Sequence, residues 1–460
     1  MGIFGALNTA VSGLKAQSFA LENISGNIAN SSTTAYKRTD TSFQDLVLGG
    51  ERPVKTQTAG SVMAYARQTN DVGASPTASS SSTSLAINGS GYLIVQDATG
   101  SVNGSPTFGG GDLYTRRGDF DLDKNGYMVN GPGYYLKGYA LDPATGNRTG
   151  SSTEMIQIDG APFPAAATGS ITYNANLPSE PKTANYVAGD ESSWLLDPTL
   201  GSTISANESD AFLNSSVAGD SVTVYDASGA SYDVQFRWGK LTNADATAGT
   251  GDAWALFYQS NTAATGDETA WTQVDADATG AGTQAFAFTD GRLTTPSNGA
   301  ATLSGLTIDG TSLGDVALST GTAGLTQFAD ATGLVDTSRV SQDGAAAGDY
   351  LGVEITDGGQ VVASYSNGRT RALYDIPVAT FAAENQLQKL DGGAFAATVA
   401  SGDPTIGDGS AIVGSALEQS NVDIADEFTK LIVTQQAYSA NTRVVTTSDS
   451  MLQEALAMIR

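Results

Sequence analysis

The chain has 460 residues, no Cys and no His, and 48 acidic against 22 basic residues, for a net charge of -26. Disulfides, thiol nucleophiles, zinc sites of the usual kind and imidazole acid–base chemistry are thereby excluded. So acidic a chain also repels nucleic acid and anionic membranes, and the charge is read as a device for solubility.

The length accommodates two to four domains with real cores. No apolar run reaches the roughly 18 residues of a membrane span. The opening "MGIFGALNTAVSGLK" carries no charge before Lys15 and its apolar residues are spaced, so it does not read as a cleavable signal. Gly2 invites N-myristoylation, but Ala6 sits where Ser or Thr is wanted.

The first predicted element is a helix. Ile3, Leu7, Ala10, Leu14, Gln17, Leu21, Ile24 and Ile28 alternate steps of four and three, a coiled-coil seam with one polar member, Gln17. At about 1.5 Å per residue it is roughly 40 Å long. Asn30, Ser31 and Ser32 end it, and the chain then turns polar and irregular, with a low-complexity break "SPTASSSSTS" at 75 to 84.

Strands follow. "TSLAINGSGYLIVQD" and "LYTRRGDFDLDKNGYMVNGPGYYLKGYALD" are short alternating runs cut by Asn-Gly and Gly-rich turns. The central stretch, about 165 to 345, is rich in Gly, Ser, Thr, Ala and Asp, and reads as one or two acidic β domains. Within it "SVTVYDASGASYDVQFRW" predicts a hairpin about Ser228-Gly229, and "TAATGDETA" at 262 to 270 is a second low-complexity break. "YLGVEITDGGQVVASYSNGRTRALYDIPVATF" gives further strands.

The last element is again a striped helix: Ile424, Phe428, Leu431, Gln435, Tyr438, Thr442, Val445, Asp449, Leu452, Leu456 and Ile459. Ser420, Asn421 and Asp423 are capping candidates, and Asp426 with Glu427 suits the first turn. Residues 1–40 carry a net +1 and 421–460 a net -2, which leaves -25 for the middle. Neutral, apolar-striped ends suit packing against copies of themselves; acidic flanks suit water.

The chemical motifs fail on inspection. "DLDKNG" at 121 to 126 starts like a calcium loop, but its twelfth position, where a bidentate Glu is required, is Pro132. It is read as a hairpin turned by Asn125-Gly126. Asp119 with Asp121 lacks any fixed geometry for a glycosidase pair. "GGGD" at 109 to 112 lacks the Lys and Ser/Thr of a phosphate loop and is read as flexible. No catalytic, cofactor-binding or metal residue is assigned, no cofactor is expected, and the chain is not read as an enzyme.

"NIANSSTTAYKR" resembles the motif that closes the N-terminal helix of the bacterial flagellar axial proteins of rod, hook and hook–filament junction. "SLAINGSGYLIVQD" with the "LYTRRGDFDLDKNGYMVNG" stretch is similar to their shared β domain. "SALEQSNVDIADEFTKLIVTQQAYSANTRVVTTSDSMLQEAL" is similar to their C-terminal helix and is the most specific match. The resemblance covers about the first 160 and last 110 residues. Ala35 stands where the family usually has Gly, before Tyr36-Lys37. The length, the inserted β region and "NVDIADEFTKLIVTQQAY" resemble the hook members best, with distal rod and junction members next.

The resemblance implies an α+β fold, with terminal helices as a coiled-coil-like inner layer and mainly antiparallel β domains between them. Residues 1–32 and 420–460 would form the helical core, 33–82 a connector, 83–165 with 346–419 the shared β domain, and 166–345 the inserted outer part. It implies a polymerisation interface of Ile3, Leu7, Leu14, Leu21, Ile24, Ile28, Ile424, Phe428, Leu431, Tyr438, Val445, Leu452, Leu456 and Ile459. Asn27, Asn30, Thr34, Tyr36 and Lys37 would form the connector motif. The expected partners are further copies of the chain in a helical tube, the distal rod protein, the hook cap protein, the hook–filament junction protein and the flagellar export apparatus. The tube would lie outside the cell, its subunits exported unfolded without a cleaved signal, and would carry torque while bending. The rival class is an adhesive or carbohydrate-binding β protein, which would stay monomeric and be stabilised by its ligand.

Overall fold

The computed structural model describes residues 3–45, 61–143, 145–244, 251–276, 285–409 and 411–458. The fold is α+β: a helix at each end and mainly antiparallel sheets between. The chain divides into two compact units, one of Met1–Ala161 with Tyr350–Tyr365 and Arg369–Arg460, the other of Pro162–Asp349 with Ser366–Gly368.

In the first unit the N-terminal helix runs Ile3–Ala29 and the C-terminal helix Ile424–Met458. Asp423 caps the latter, its carboxylate accepting from the amides of Ala425 at 2.9 Å and Asp426 at 3.2 Å. The two helices pack on each other, but only partly along the expected stripe. Of the N-terminal seam expected from the sequence, Ala10 and Ile24 are buried, whereas Leu7, Leu14, Gln17, Leu21 and Ile28 are only half-buried. The full buried line is Ala10, Gly13, Ala16, Ala20, Ile24 and Asn27. On the C-terminal helix it is Glu427, Thr434 and Ser448, with Leu431, Ala437, Asn441, Val445 and Leu452 half-buried on the same face. Small residues win this face because they let the backbones approach. A Cβ on Gly13 would stand 2.9 Å from the Asn441 amide nitrogen.

Of the region expected to be a connector, 33–82, residues 46–60 lie outside the described residues, and the described parts are more ordered than their composition suggests. Thr39–Asp45 and Val62–Gln68 pair antiparallel, Thr39 opposite Gln68 and Asp45 opposite Val62. The serine-rich break is held as well. Pro76–Ala78 pairs with Ala416–Glu418, the Ser82 hydroxyl donates to the Val353 carbonyl at 2.9 Å, and the Thr83 hydroxyl donates to that of Phe120. Hydroxyls satisfied by long-range carbonyls look from the sequence just like solvated ones.

The main sheet of this unit interleaves strands from before and after the second unit. Its order is Tyr350–Ile355, Gln360–Tyr365, Thr370–Asp375, Tyr134–Ala140, Tyr92–Val102, Leu113–Thr115, Ala394–Ala396, Gln388–Lys389. Leu85, Leu93, Val95, Phe120, Met128, Leu136, Val361 and Ile376 form its main core. The "DLDKNG" run is a turn. Asp123 accepts from the amides of Asn125 and Tyr127, both at 2.8 Å, and Gly126 sits at φ +80°.

Among the described residues the second unit is a 12-stranded sheet system around Tyr173, Phe236, Trp238, Trp254, Phe286, Leu303 and Leu318. Val217–Tyr225 and Ser231–Thr242 make the expected hairpin, with Asp226 accepting from the Ser228 and Ala230 amides and Gly229 at φ +85°. Ser170–Pro178 departs from the antiparallel rule: it pairs parallel with Thr311–Ser319 and Leu325–Phe328.

Tyr173 is fully buried in this core. Its hydroxyl donates to the Gly219 carbonyl and accepts from Trp238 Nε1 at 3.1 Å. Burial pushes its pKa up to about 12. A raised phenol stays neutral in the fold while the unfolded chain ionises at its ordinary value near 10. Stability from this group is therefore complete below pH 10 and is lost as pH climbs from 10 toward 12. The loss is about 2 kcal/mol at the upper end. Tryptophan-fluorescence unfolding at stepped alkaline pH should report that fall, and Tyr173→Phe should flatten it. An equal fall in the variant would assign it elsewhere.

Candidate functional site

The closing motif of the N-terminal helix ties the two chain ends together. Asn27 occupies the last turn, fully buried. Its amide nitrogen donates to Glu427 Oε2 and to the Thr39 carbonyl, both at 3.0 Å. Its carbonyl oxygen accepts from the Thr39 amide at 2.9 Å and the Tyr36 hydroxyl at 3.3 Å. Both ends of the amide are thus in use, which fixes its orientation. Glu427 is buried, and Lys430 Nζ reaches its other oxygen at 2.6 Å and Asp40 at 3.5 Å.

A second cluster lies beside it. Glu418 is 0% exposed. It takes Lys37 Nζ at 2.6 Å, Arg116 at 3.3 Å and the Ala74 amide at 3.0 Å. Lys37 Nζ also donates to the Val72 carbonyl at 2.8 Å, and Arg116 donates to the Gly89 carbonyl at 2.6 Å. Burial pulls the Lys37 pKa below its ordinary value, and the Glu418 charge pulls the other way. The Glu418 carboxylate and the Val72 and Gly89 carbonyls offset the desolvation of the two cations, although Arg116 Nε is buried without a hydrogen-bond partner.

Between the clusters the backbone is locked in an unusual turn. Ala35 sits at φ +55°, buried, with its amide donating to the Glu418 carbonyl at 2.9 Å. Asn421 spans the same gap: its side chain accepts from the Arg38 amide at 2.8 Å and donates to the Val72 carbonyl at 3.2 Å. Asn30 donates to the Gly26 carbonyl at 2.9 Å and accepts from the Thr33 hydroxyl at 3.1 Å, while Thr34 is half-buried. A left-handed conformation costs a non-glycine residue about 1–2 kcal/mol. Ala35→Gly should therefore raise stability by about 0.5–1 kcal/mol, the lost methyl burial and added chain freedom taking back part of the gain. Denaturant unfolding followed by helix signal checks it, and an unchanged or lower midpoint would show that no strain was there to relieve.

The residues assigned to an interface fall into three groups. Leu7, Leu14, Leu21 and Ile28 lie half-buried beside the packed line, and Ile24 lies in it. Leu431, Val445 and Leu452 share the face turned toward the N-terminal helix. Ile424 and Phe428 at 48%, Tyr438 at 40% and Leu456 at 67% are exposed. Ile3 opens the helix, and Ile459 lies outside the described residues. Ile432, Val433, Val444, Met451 and Met458 are exposed too. Ile424, Phe428 and Ile432, spaced four apart, form one ridge. Small and polar residues, with Ile24, fill the buried line of the helix pair, while Ile424, Phe428, Ile432 and Val433 face outward. A run of exposed apolar side chains on this scale marks an association surface.

Glu418, Asn421, Glu427 and Arg116 carry the clamp; the sequence singled out neither Glu418 nor Arg116, and named Asn421 and Glu427 only as a capping candidate and a first-turn residue. The first three sit in "EQSNVDIADE", but nothing local reveals that each has a partner more than 340 residues away. Among the described residues no group of acidic side chains is placed to hold a metal, and no helix is long and apolar enough to cross a membrane.

Known proteins match the same segments. The family described as "Flagella basal body rod protein" matches residues 7–37, "Flagellar hook protein FlgE/F/G D1 domain" matches 86–176, and "Flagellar basal body rod FlgEFG protein C-terminal" matches 413–458. The flagellar hook protein FlgE of Brucella suis is 31% identical over 98% of this chain and 98% of its own. That of Salmonella typhimurium is 28% identical over 97% of this chain and 98% of its own. A crystal structure of Helicobacter pylori flagellar hook protein FlgE2 aligns with 75% of this chain and 99% of that one at 13% identity and a TM-score of 0.48. With its end-to-end match to the Brucella relative and the family motifs at both termini, the chain belongs to the bacterial flagellar hook protein family and is a structural subunit of the hook.

Proposed function

We propose that this subunit polymerises through its paired terminal helices into a tube that carries torque from rod to filament while bending. The observation that carries the reading is the ridge of Ile424, Phe428 and Ile432, left in water by a helix pair that buries small residues instead. In the tube, Leu7, Leu14, Leu21 and Ile28 meet the outward residues of neighbouring C-terminal helices, and residues 1–32 with 420–460 form the inner layer. Bending requires each row of subunits to lengthen and shorten once per turn. Apolar contact, being non-directional, tolerates small slides between neighbours, and water-mediated polar contacts exchange partners at low cost. The subunit reaches its place outside the cell through the flagellar export apparatus as an unfolded chain, which the absence of Cys suits. It assembles under a cap protein, on the distal rod and below the junction protein.

Negative-stain images of the concentrated full-length protein test this. Tubes with a regular helical repeat are expected. A protein that stays monomeric at high concentration, or gains stability from a carbohydrate ligand, belongs to the rival reading.

A further inference from the structure

Beside the clamp lies a cleft of about 300 Å³, walled by Asn30, Thr34, Tyr36, Arg117, Lys389 and Asp391. Its cations are not equivalent. Arg117 is neutralised by Asp119, with Nε 2.7 Å from one carboxylate oxygen and a terminal nitrogen 2.8 Å from the other. Lys37, on the inner side, is held by Glu418. Lys389 has no such partner: among the described residues no carboxylate lies within ion-pair distance of it. Its Nζ stands 4.3 Å from the centre of the Tyr36 ring and donates to the Lys37 carbonyl at 3.3 Å. The residue as a whole is exposed, yet burial around the ammonium pulls its pKa below the ordinary lysine value.

Asp391 also lines the cleft but makes no ion pair with Lys389, and a cation held against an aromatic face with no carboxylate at ion-pair distance is half of an ion pair. We propose that the cleft at Lys389 receives an Asp or Glu side chain from a second copy of this chain. This rests on the polymer reading above. The occupant follows from charge: with 48 acidic residues against 22 basic ones, a neighbouring copy presents carboxylates in excess and few free cations. The place follows from the fold. Tyr36, beneath the ammonium, is hydrogen-bonded to Asn27 at the root of the helix pair, so a neighbour bound here is coupled to the element that carries the apolar ridge. The contact supplies orientation, since a single carboxylate must enter one cleft, whereas an apolar ridge tolerates sliding.

The test mixes subunits of natural isotope content with ¹⁵N-labelled ones, assembles them, and treats tubes and monomers with a water-soluble carbodiimide. The reagent activates a carboxylate, which the Lys389 amine attacks to form an amide with net loss of one water. The expected product is a mixed-isotope peptide pair joined through Lys389, present in tubes and absent in monomers. In parallel, Lys389→Gln should raise the concentration needed for assembly roughly tenfold, about 1.4 kcal/mol. Lys389→Arg should restore assembly, and the melting of either monomer should shift only by the small amount that the Tyr36 contact supplies, far too little to account for the change in assembly. A further arm treats tubes and monomers with acetic anhydride; equal acetylation of Lys389 in both would overturn the inference, and so would unchanged assembly of Lys389→Gln. Inorganic phosphate that stabilises the wild-type monomer but not Lys389→Gln would identify a free anion as the ligand instead and also overturn it. Absence of tubes from the wild type would defeat the polymer reading itself; tubes with a freely reactive Lys389 would defeat this inference alone.

Discussion

Phe428→Asp is expected to yield a folded monomer that forms no tubes. Phe428 is 48% exposed in the single chain, so a carboxylate there meets water and the fold loses only the partial burial of one ring. In the proposed tube the same position would be covered by a neighbour, and an uncompensated buried charge costs several kcal/mol. That cost recurs in every subunit. The helix signal and melting midpoint should stay close to wild type while sedimentation shows no polymer. Normal tubes from this variant would remove the ridge from the interface. Leu431 makes a poorer probe. It lies between Glu427 and Thr434 on the face turned to the N-terminal helix, so Leu431→Asp should damage the monomer and the polymer together.

Glu418→Gln should have the largest effect on the monomer. The substitution keeps the shape but leaves Lys37 and Arg116 as two buried cations without a counter-charge. Breaking a buried pair from one side costs about 3–5 kcal/mol. The damage should be confined to one unit, and the sequence supplies the probe. The chain has four tryptophans, Trp194, Trp238, Trp254 and Trp271, and all lie in the unit of Pro162–Asp349. Far-UV circular dichroism, which follows the two long helices of the other unit, should unfold early, while the tryptophan-fluorescence midpoint stays put. Adding Lys37→Met should recover part of the loss, because one carboxamide then faces one cation instead of two. Coincident early transitions by both probes would mean that the clamp supports the whole chain.

The Lys37 charge gives the clamp a pH signature of known sign. Its folded pKa lies below the unfolded one, so the fold disfavours its charged form. The penalty is in force at neutral pH and is relieved as pH rises through the lowered value toward 10.5. Tyr36 runs the other way: burial and Glu427 raise its pKa, and its neutral hydroxyl stabilises the fold until pH passes 10. The first unit should therefore gain stability and then lose it across the alkaline range.

By itself the sequence determined what is local. Apolar spacing located both terminal helices, Asp423 their second start, and Asn125-Gly126 and Ser228-Gly229 the turns, because each is fixed by backbone propensity within a few residues. The family motifs at the two ends gave membership, since they survive as contiguous strings. Tertiary structure alone decided which face of each helix packs. A heptad stripe says where large apolar residues stand; it does not say whether they meet the same chain or another. Here Ala10, Gly13 and Ala16 allow the closest approach and take the internal face, which leaves Phe428 and Ile432 outside. Tertiary structure also decided that the polar motif is a clamp. Lys37 with Glu418, and Asn27 with Glu427, are pairs 381 and 400 residues apart, and only the closed fold brings them within hydrogen-bonding reach.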